Sequence, residues 1–415
     1  MAPNESLLAP TRERTVFHIN SLEHGKNTLE KYRREGRITD DDATLIRQYI
    51  QERRNSRHLS VGRINKIIYS LLLWRRYMTR PFKEQTITDL YDGIETLTNG
   101  KKINGKVLKK NTLFDTVGII KPFYQWMIDE GYSTLPEKKL RAIKRPSQDT
   151  MTKTAADLLI PDEITKIIQA CGSSRDRALI TMMYEGGFRI GELGNLTWGD
   201  MKFDEYGVVV NTNKKTGKPR YLRLISSREA LAAWQNDYPF PKSAQALVFV
   251  DHRKKGMTYH AMRKQIQRIA VRAGIEKRVH PHIFRHSRIT HLIQEGVSES
   301  VIKLMMWGSV DSDMFKNYLH LSGQDVDRAM LEHHKIKQPE TKRLRKIEPR
   351  QCASCSTING PTSNFCSVCG IPLTEEARGE SEQEKTKVSK AFFDLPIEDQ
   401  IEFLKWKQSQ KEKKI

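Results

Sequence analysis

Three separated segments of the sequence carry polar side chains that can do chemistry, each next to a predicted helical turn. They are residues 186–193 (GGFRIGEL), 280–291 (HPHIFRHSRITH) and 307–320 (WGSVDSDMFKNYLH). A guanidinium can hold an anion, an imidazole can transfer a proton, and a phenol can act as a nucleophile. Taken alone, each segment also has an ordinary structural explanation, such as a surface cation, the first turn of a helix or a half-buried core phenol.

Four of the five cysteines form a second candidate site towards the C-terminus. Cys352, Cys355, Cys366 and Cys369 make two Cys-x-x-Cys pairs that are ten residues apart. Two such knuckles can enclose a tetrahedral metal ion, and four thiolates favour Zn²⁺ in a closed structural site. A disulfide pair or a redox-active dithiol is the alternative. Cys171 stands alone and is predicted to be an inert packing residue.

The composition indicates a negatively charged partner. The 415-residue chain has 71 Lys and Arg against 50 Asp and Glu, a net charge of +21, and such a basic chain commonly meets nucleic acid. Five cysteines are too few for a secreted disulfide scaffold, and their clustering suits a reducing cytosol. The sequence has no apolar run of membrane-spanning length, and residues 1–14 lack a signal-peptide pattern. We therefore expect a cytoplasmic, nucleoid-associated protein with no membrane partner.

The elements that must position these residues are mostly helical. Residues 23–145 have apolar side chains at helical spacing and should form a small basic bundle. Asp41 is the predicted N-cap of one helix, over residues 42–55, and Ser60 is the predicted N-cap of the next. Pro122 lies inside a third predicted helix, where it should cause a kink or a break.

Composition and periodicity also set the other boundaries. Residues 206–212 and 219–225 are predicted to pair as a β-hairpin with NKKTGK at its tip. The fold class is therefore mostly α with a small antiparallel β-sheet. The remaining predicted segments are a flexible arm over 1–22, linkers over 144–156 and 335–350, a mixed α/β domain over 157–336, the cysteine module over 350–372, a disordered tract over 374–390 and an amphipathic helix over 391–412.

The order of these motifs resembles the tyrosine recombinase, or phage integrase, family. The similarity runs through RIGEL, KTGKPR, HIFRH and NYLH and covers about residues 157–336. It implies a catalytic tyrosine recombinase domain over those residues. Residues 23–145 resemble the DNA-clamping core-binding domain of that family in character and position only. Integrases of archaea can carry a C-terminal zinc ribbon, so the resemblance also implies an archaeal source.

The resemblance assigns the central roles to three residues. Tyr318 would attack a DNA phosphodiester and form a covalent 3′-phosphotyrosine, which keeps the energy needed for religation without ATP. Arg189 and Arg285 would clamp the non-bridging oxygens of the transition state with planar, multiply donating guanidiniums. This chemistry requires no cofactor, and the Zn²⁺ of the cysteine module would be structural.

Two further motif residues would assist. Lys215, at the hairpin tip, would protonate the leaving 5′ oxygen, with Lys214 and Lys218 as competitors for that role. Glu192 lies one turn after Arg189, and in the resembling family an acid there orients the arginine. A helix-surface salt bridge is the alternative for this pair.

The histidine-rich helix offers a proton carrier. His282 lies three residues before Arg285 and shares its helical face, so it would accept the tyrosine proton or donate to the phosphate. His286, Arg288 and His291 follow on the same helix and are predicted to pack or to face DNA rather than to catalyse.

The segment before the tyrosine departs from the family pattern. The family commonly places His or Trp after a glycine, whereas Trp307 here precedes one, eleven residues before Tyr318. An indole can donate to a phosphate oxygen but cannot shuttle protons. Trp307 is therefore a candidate phosphate ligand, and a core Trp beside Leu304 and Met305 is the alternative.

The sequence thus predicts a site-specific DNA recombinase, of integrase or resolvase type. Its partner would be double-stranded DNA, on which the chain would act as a homo-oligomer, a tetramer on paired sites. A type IB-like topoisomerase and a catalytically silent DNA-binding regulator on the same fold are the alternatives.

Overall fold

Helices make up most of the chain, and two small antiparallel sheets occur among the described residues. The computed structural model describes residues 17, 21–100, 108–149, 155–212, 219–241, 243–253, 255–321, 331, 334 and 346–412. Packing divides the chain into two units, Met1–Thr152 and Lys153–Ile415. Among the described residues, every helix is too short or too polar to cross a membrane.

The helices of the N-terminal unit surround an apolar core. Helix α3 packs against α1 and α5, and Leu71, Trp74 and Phe123 are completely buried between them. The indole N–H of Trp74 donates to the hydroxyl of Tyr124 at 2.8 Å, so this buried polar pair is satisfied. In the described residues the helices are α1 (Leu22–Arg34), α2 (Asp40–Arg57), α3 (Val61–Arg75), α4 (Ile87–Thr98), α5 (Lys110–Asp129) and α6 (Glu137–Ala142).

The helix caps confirm one prediction and correct another. Ser60 caps α3, as predicted. Asp41 does not cap α2, because the N-cap residue of that helix is Thr39. The Thr39 hydroxyl accepts the Asp42 N–H at 3.1 Å, and the Asp42 carboxylate accepts the Thr39 N–H at 3.2 Å. This reciprocal capping box satisfies two N–H groups, and one carboxylate at position 41 would satisfy fewer.

Helix α5 runs through Pro122 without a break. Of the predicted kink or break, the break is therefore wrong, and the kink stays a prediction. The neighbouring Phe123 and Tyr124 are completely buried, and their packing offsets the lost backbone hydrogen bond. Gly131 lies just past the end of this helix with φ of +71°, the left-handed conformation that glycine adopts freely at a helix terminus.

The C-terminal unit mixes helices with a three-stranded sheet. Strand β2 is the central strand, and Val210 on it lies opposite Leu222 of β3. The predicted hairpin is therefore confirmed, and β1 is an additional strand that the sequence analysis missed. The elements are α7 (Pro161–Gln169), α8 (Ser174–Glu185), α9 (Ile190–Gly194), β1 (Met201–Asp204), β2 (Gly207–Asn211), β3 (Tyr221–Leu224), α10 (Arg228–Asn236), α11 (Tyr259–Arg272), α12 (Pro281–Gln294) and α13 (Glu299–Trp307). The hairpin tip, 213–218, lies outside the described residues.

Two short strands and two helices follow in the same unit. They are β4 (Arg350–Gln351), β5 (Ile358–Asn359), α14 (Glu375–Phe393) and α15 (Ile397–Glu412). The disorder predicted over 374–390 is wrong, because α14 covers nearly all of that tract. The Thr374 hydroxyl accepts the Ala377 N–H at 3.1 Å, and the Glu, Lys and Gln residues that follow favour helix without needing a core. The helix predicted over 391–412 begins later, at Ile397.

Glu185 joins the end of α8 to the start of α10. Its carboxylate accepts the N–H groups of Ile225, Ser226 and Ser227 at 2.6, 2.8 and 2.8 Å, and the Ser227 hydroxyl at 2.7 Å. These amides precede α10, where a negative charge is favourable. Because Gly186 follows Glu185 in the chain, these hydrogen bonds also fix the position at which segment 186–193 begins.

Replacing Glu185 by Gln should therefore destabilise the C-terminal unit by about 2 kcal/mol or more, since an amide nitrogen cannot accept the donors that face it. Glu205→Gln removes an exposed carboxylate and should change stability by less than about 0.5 kcal/mol. Thermal melts followed by circular dichroism compare the two variants with wild type. Equal melting of Glu185→Gln and wild type would contradict the anchoring role.

Candidate active site

The site is built around the turn between α8 and α9. Gly187 in this turn has φ of +53°, and a Cβ placed on it would lie 2.6 Å from the sulfur of Met306. Both the backbone conformation and the close approach therefore require glycine. Arg189 follows directly at the N-terminus of α9.

Arg285, buried in α12, ties this turn to the end of α13. Its Nη1 donates to the Gly187 carbonyl at 2.6 Å and its Nη2 to the Met306 carbonyl at 2.6 Å. Desolvation, assisted by the charges of Arg220 and Arg189, lowers the pKa of Arg285 to about 9. The guanidinium thus stays charged at neutral pH. Three of its five N–H groups lie outside these two bonds and can serve a ligand.

A second buried guanidinium, that of Arg220, also joins the glycine turn to the end of α13. It bonds the carbonyls one residue before those that Arg285 bonds. Arg220 Nη1 donates to the Met305 carbonyl at 2.6 Å and to the Gly186 carbonyl at 3.4 Å. Burial lowers the pKa of Arg220, and the carboxylate of Glu192 acts in the opposite direction. The sequence analysis did not single out this residue. Its signal was its place at the end of KTGKPR, next to the hairpin tip.

Glu192 lies between two arginines. Its Oε1 accepts from Arg189 Nη1 at 2.9 Å, and its Oε2 accepts the backbone N–H of Arg189 at 2.8 Å and a bond from Arg220. Only 3% of the Glu192 side chain is exposed, against 36% of that of Arg189. The arrangement is a buried carboxylate bridge rather than a helix-surface salt bridge, and it leaves Arg189 facing solvent.

Tyr318 lies beside this arginine cluster in the 3₁₀ helix Asp313–Leu321. Its side chain is 5% exposed. Burial raises the pKa of Tyr318 to about 12, while the charges of Arg285 and Arg189 act the other way. The structure therefore places the phenol where the charges of both predicted arginines favour its ionised form.

Trp307 completes the cluster. Its ring lies 6.2 Å from that of Tyr318, between centroids, and the Arg285 guanidinium carbon lies 5.4 Å from its centroid. Trp307 also packs, partly buried, against Met306 and its apolar neighbours. Trp307 thus contacts both Arg285 and the apolar core. Its binding of a phosphate oxygen stays a prediction.

The hydroxyl of Tyr318 is hydrogen-bonded to His286, whose Nδ1 lies 2.7 Å away. Within the described part of the chain, no hydrogen bond joins Tyr318 to His282. The His282 side chain reaches solvent, and its pKa is lowered by desolvation against neighbouring protein and then by Arg285 and Arg189. The sequence analysis set His286 aside, and the i, i+4 spacing from His282 was the signal that it lies on the same side of α12.

His291 and Arg288, which the sequence analysis also assigned to packing or to DNA, both pack within the protein. His291 Nδ1 lies 2.8 Å from the hydroxyl of Tyr184, and Arg288 is paired with Glu295 at 3.4 Å. Burial lowers the pKa of His291 to about 4, so its imidazole is neutral at physiological pH. The predicted general acid Lys215, with its competitors at 214 and 218, lies outside the described residues.

Comparison with known proteins finds relatives over this part of the chain. Residues 158–325 match the model of the phage integrase family. The chain is 30% identical over 248 residues to tyrosine recombinase XerC of Xanthomonas campestris pv. campestris (strain B100), covering 58% of this chain and 72% of that protein. It is 24% identical over 303 residues to tyrosine recombinase XerD of Neisseria meningitidis (serogroup A, serotype 4A), covering 66% of this chain and 98% of that protein.

The chain belongs to the phage integrase family. The predictions of a tyrosine recombinase and of its site-specific recombinase function are confirmed at the level of this family. The archaeal source stays a prediction.

Solved structures of tyrosine recombinases share the fold. A lambda integrase dimer bound to a COC′ core site has a TM-score of 0.53 at 15% identity, covering 73% of this chain and 80% of that one. XerH bound to palindromic difH substrate, in a post-cleavage complex, has a TM-score of 0.51 at 17% identity, covering 78% and 98%. The predicted fold class, mostly α with small antiparallel sheets, is thereby confirmed.

The cysteine module of this integrase-family chain can hold a metal ion. The four sulfurs lie within 4.8 Å of one another, and the pairs Cys352–Cys369 and Cys355–Cys366 are each 3.5 Å apart. All four cysteines are free, and these separations are longer than the roughly 2.05 Å of a disulfide. They suit a tetrahedral thiolate site, in which metal–sulfur bonds of about 2.3 Å place the sulfurs about 3.8 Å apart.

The two knuckles have matching backbones. The N–H of Ser356 donates to the Cys352 carbonyl at 2.9 Å, and the N–H of Gly370 donates to the Cys366 carbonyl at 2.9 Å. In both knuckles the residue after the second cysteine is left-handed, with φ of +58° at Ser356 and +71° at Gly370. The second knuckle thus uses the residue best suited to this conformation, and each tight turn points its two thiols towards one centre.

Glu229 of α10 holds this module against the recombinase domain. Its Oε2 accepts hydrogen bonds from the N–H of Gly360 and from the hydroxyl of Ser363. The module is therefore packed on the domain and not simply tethered to it.

Arg220→Met should lower the free energy of unfolding of the C-terminal unit by about 3 kcal/mol or more, because it leaves Glu192 short of a partner and two carbonyls without a donor. Arg223, three residues on, pairs with Asp204 nearer the surface, so Arg223→Met should lower the free energy of unfolding by clearly less than Arg220→Met does. Urea unfolding of both variants, followed by tryptophan fluorescence, measures the difference. If the two variants lost similar free energies of unfolding, the buried hydrogen bonds of Arg220 would not contribute more to stability than the pair formed by Arg223.

Proposed function

We propose that this chain cleaves and rejoins DNA through Tyr318, which forms a covalent 3′-phosphotyrosine intermediate. The observation that carries the proposal is the placement of a buried phenol beside two guanidiniums that protein groups hold in place. Arg189 is held by Glu192, and Arg285 by the Gly187 and Met306 carbonyls. Such preorganised donors need no rearrangement when charge develops on the phosphate.

The two arginines would act mainly in the transition state. As the tyrosine oxygen attacks, negative charge grows on the non-bridging oxygens of the phosphate, and the remaining N–H groups of Arg189 and Arg285 can receive it. Removing one such donor typically slows chemistry by about 100- to 1000-fold. Glu192 would act as a positioning residue for Arg189, and Trp307 would bind a phosphate oxygen through its indole N–H.

The reaction exchanges one phosphodiester bond for another. The tyrosine oxygen gains a bond to phosphorus while the 5′ oxygen leaves and takes up a proton, which Lys215 would supply. His282 reaches solvent and would donate to the scissile phosphate. The energy of the broken bond stays in the phosphotyrosine, so a 5′ hydroxyl can reverse the step without ATP.

Double-stranded DNA is the proposed substrate, and a homo-oligomer, a tetramer on paired sites, the proposed assembly. The net charge of +21 favours a polyanion, and the fold relatives include a lambda integrase dimer on a core site and a lambda integrase tetramer bound to a Holliday junction. Residues 23–145 would clamp DNA, and residues 157–336 would cut it. A protein that acts in this way would be found in the cytoplasm with the nucleoid.

The site also bears on the two alternatives. A silent regulator would have no use for Glu192, Arg189, Arg285 and Tyr318 in one cluster, so the geometry favours an enzyme. A topoisomerase would share the cleavage step, and strand exchange between two duplexes is what separates it from a recombinase.

Zn²⁺ is the proposed metal of Cys352, Cys355, Cys366 and Cys369. Four thiolates and no open ligand position are typical of a structural zinc site. When bound, the ion would hold the two knuckles together and give residues 350–372 their fold. No catalytic role follows, because none of the candidate catalytic residues lies within the module.

Tyr318→Phe should abolish covalent adduct formation and leave DNA binding unchanged, because it removes the nucleophilic oxygen alone. The probe is a pool of nicked duplexes of random core sequence, from which adducts with wild type are recovered and sequenced. Tyr221→Phe, at a residue 62% exposed on β3, is the matched control and should form adduct as wild type does. Adduct formation by Tyr318→Phe would show that another group attacks the DNA.

The purified chain should contain one Zn²⁺, and chelation should unfold residues 350–372, because in so small a module binding free energy is folding free energy. Elemental analysis and the chemical shifts of the module before and after chelation measure both effects. Adduct formation on short duplexes should survive Cys352→Ser, Cys355→Ser. Full metal loss without change in the module's spectrum would contradict the structural role.

A further inference from the structure

The nucleophile candidate already has a proton acceptor beside it. The Tyr318 hydroxyl and His286 Nδ1 are 2.7 Å apart, and their rings lie 5.5 Å apart between centroids at an angle of 35°. A general base must lie within about 2.6–3.2 Å of the proton that it takes. His286 meets this condition. The predicted proton carrier His282 lies one turn earlier, is exposed, and makes no such contact with Tyr318 in the described part of the chain.

His286 is carried on a firmly held part of α12. Its neighbour Arg285 is bonded to the Gly187 and Met306 carbonyls, and the hydroxyl of Ser287, on its other side, accepts the N–H of Leu159 at 2.9 Å. Both flanking residues are buried. A base on a packed helix keeps its position better than one on a loop, so the distance to Tyr318 is part of the fold.

We infer that His286 is the general base that removes the proton of Tyr318 during cleavage. This inference rests on the proposed function and names the residue that activates its nucleophile. In the step, the O–H bond of Tyr318 breaks and its proton moves to Nδ1 of His286. The tyrosine oxygen forms a bond to phosphorus, and the bond from phosphorus to the 5′ oxygen breaks. The 5′ oxygen takes its proton from a separate acid, and religation reverses each transfer.

The protonation state of the Tyr318 phenol explains why a base is needed. Tyr318 is buried, and a phenol with a pKa of about 12 is almost entirely protonated at neutral pH. The charges of Arg285 and Arg189 favour the phenolate, but an incoming phosphate neutralises part of that charge. Imidazole titrates near neutrality, so it can take the proton as the new bond forms. The step requires the His286 tautomer whose proton is on Nε2.

Two histidines of α12 thus have different proposed tasks. His282 reaches solvent, where a DNA phosphate would arrive, and it is a donor to that phosphate. His286 faces the phenol and handles its proton. Neither histidine protonates the leaving 5′ oxygen in this scheme. Deprotonation of Tyr318 and protonation of the 5′ oxygen can therefore be separated by experiment.

The separating probe is a duplex, of the sequence recovered with wild type, in which sulfur replaces the bridging 5′ oxygen at the scissile phosphate. A thiol ionises near pH about 8.5, so a sulfur leaving group needs no acid. Cleavage is measured as single-turnover adduct formation on the oxygen and sulfur duplexes, with DNA binding measured in parallel.

His286→Asn should bind DNA as wild type does and cleave the oxygen duplex about 100- to 10,000-fold more slowly, since general-base catalysis contributes that much. The same loss should persist on the sulfur duplex, whereas the loss caused by Lys215→Ala should largely disappear there. Added imidazole should restore cleavage by His286→Ala in proportion to the neutral imidazole present.

A matched control lies on the same helix. His291 Nδ1 is 2.8 Å from the hydroxyl of Tyr184, the same type of pair but buried and away from the arginine cluster. His291→Asn should lower the melting temperature and leave the cleavage rate of the folded protein unchanged. If His286→Asn melts below the assay temperature, His286→Gln replaces it.

Cleavage by His286→Asn at the wild-type rate would overturn the inference. So would recovery of that variant on the sulfur duplex, which would place His286 on the leaving group. Absence of adduct with wild type itself would instead overturn the proposed function, and the two failures are therefore distinct.

Discussion

Two buried guanidiniums cross between the same two segments, the glycine turn before α9 and the last carbonyls of α13. A carbonyl or a charge buried without a partner costs several kcal/mol, and here Arg220 and Arg285 satisfy the carbonyls while the carbonyls satisfy them. The turn leads directly into Arg189, and α13 leads towards the 3₁₀ helix of Tyr318. The separation between Arg189 and the candidate nucleophile Tyr318 therefore depends on these bonds.

The cluster carries more positive charge than its partners neutralise. The carboxylate of Glu192 is bonded to the guanidiniums of Arg189 and Arg220, whereas Arg285 is bonded to neutral carbonyls. The charges of Arg220 and Arg189 contribute to the lowered pKa of Arg285. An arrangement of this kind destabilises the free protein and favours an incoming anion, a common cost of functional sites. A phosphate bound there would relieve the repulsion and bring its ester bond to the phenol.

The cysteine module is connected to the same scaffold through one helix. Glu185, at the end of α8, holds the N-terminus of α10, and Glu229, in the first turn of α10, holds Gly360 and Ser363 of the module. Since Glu185 also precedes the glycine turn, the element that anchors the module is the element that begins the site. Packing of the module and of the active site is thus mechanically related without any shared chemistry.

The sequence by itself determined the residue types and their local frames. The order of Arg189, the His-x-x-Arg helix and Tyr318 predicted the family, and the cysteine spacing predicted a metal module, because these signals lie within one or two turns of chain. Most helices followed from apolar periodicity, although the cap at Thr39 and the helix α14 did not, since reciprocal capping and helix formation without a core leave weak patterns. Only the tertiary structure decided that His286 meets Tyr318, 32 residues away, and that Arg220 meets Glu192 across 28. Such pairs depend on how packed helices and strands are juxtaposed, and the spacing of residues along one element carries no information about which distant side chain will face it.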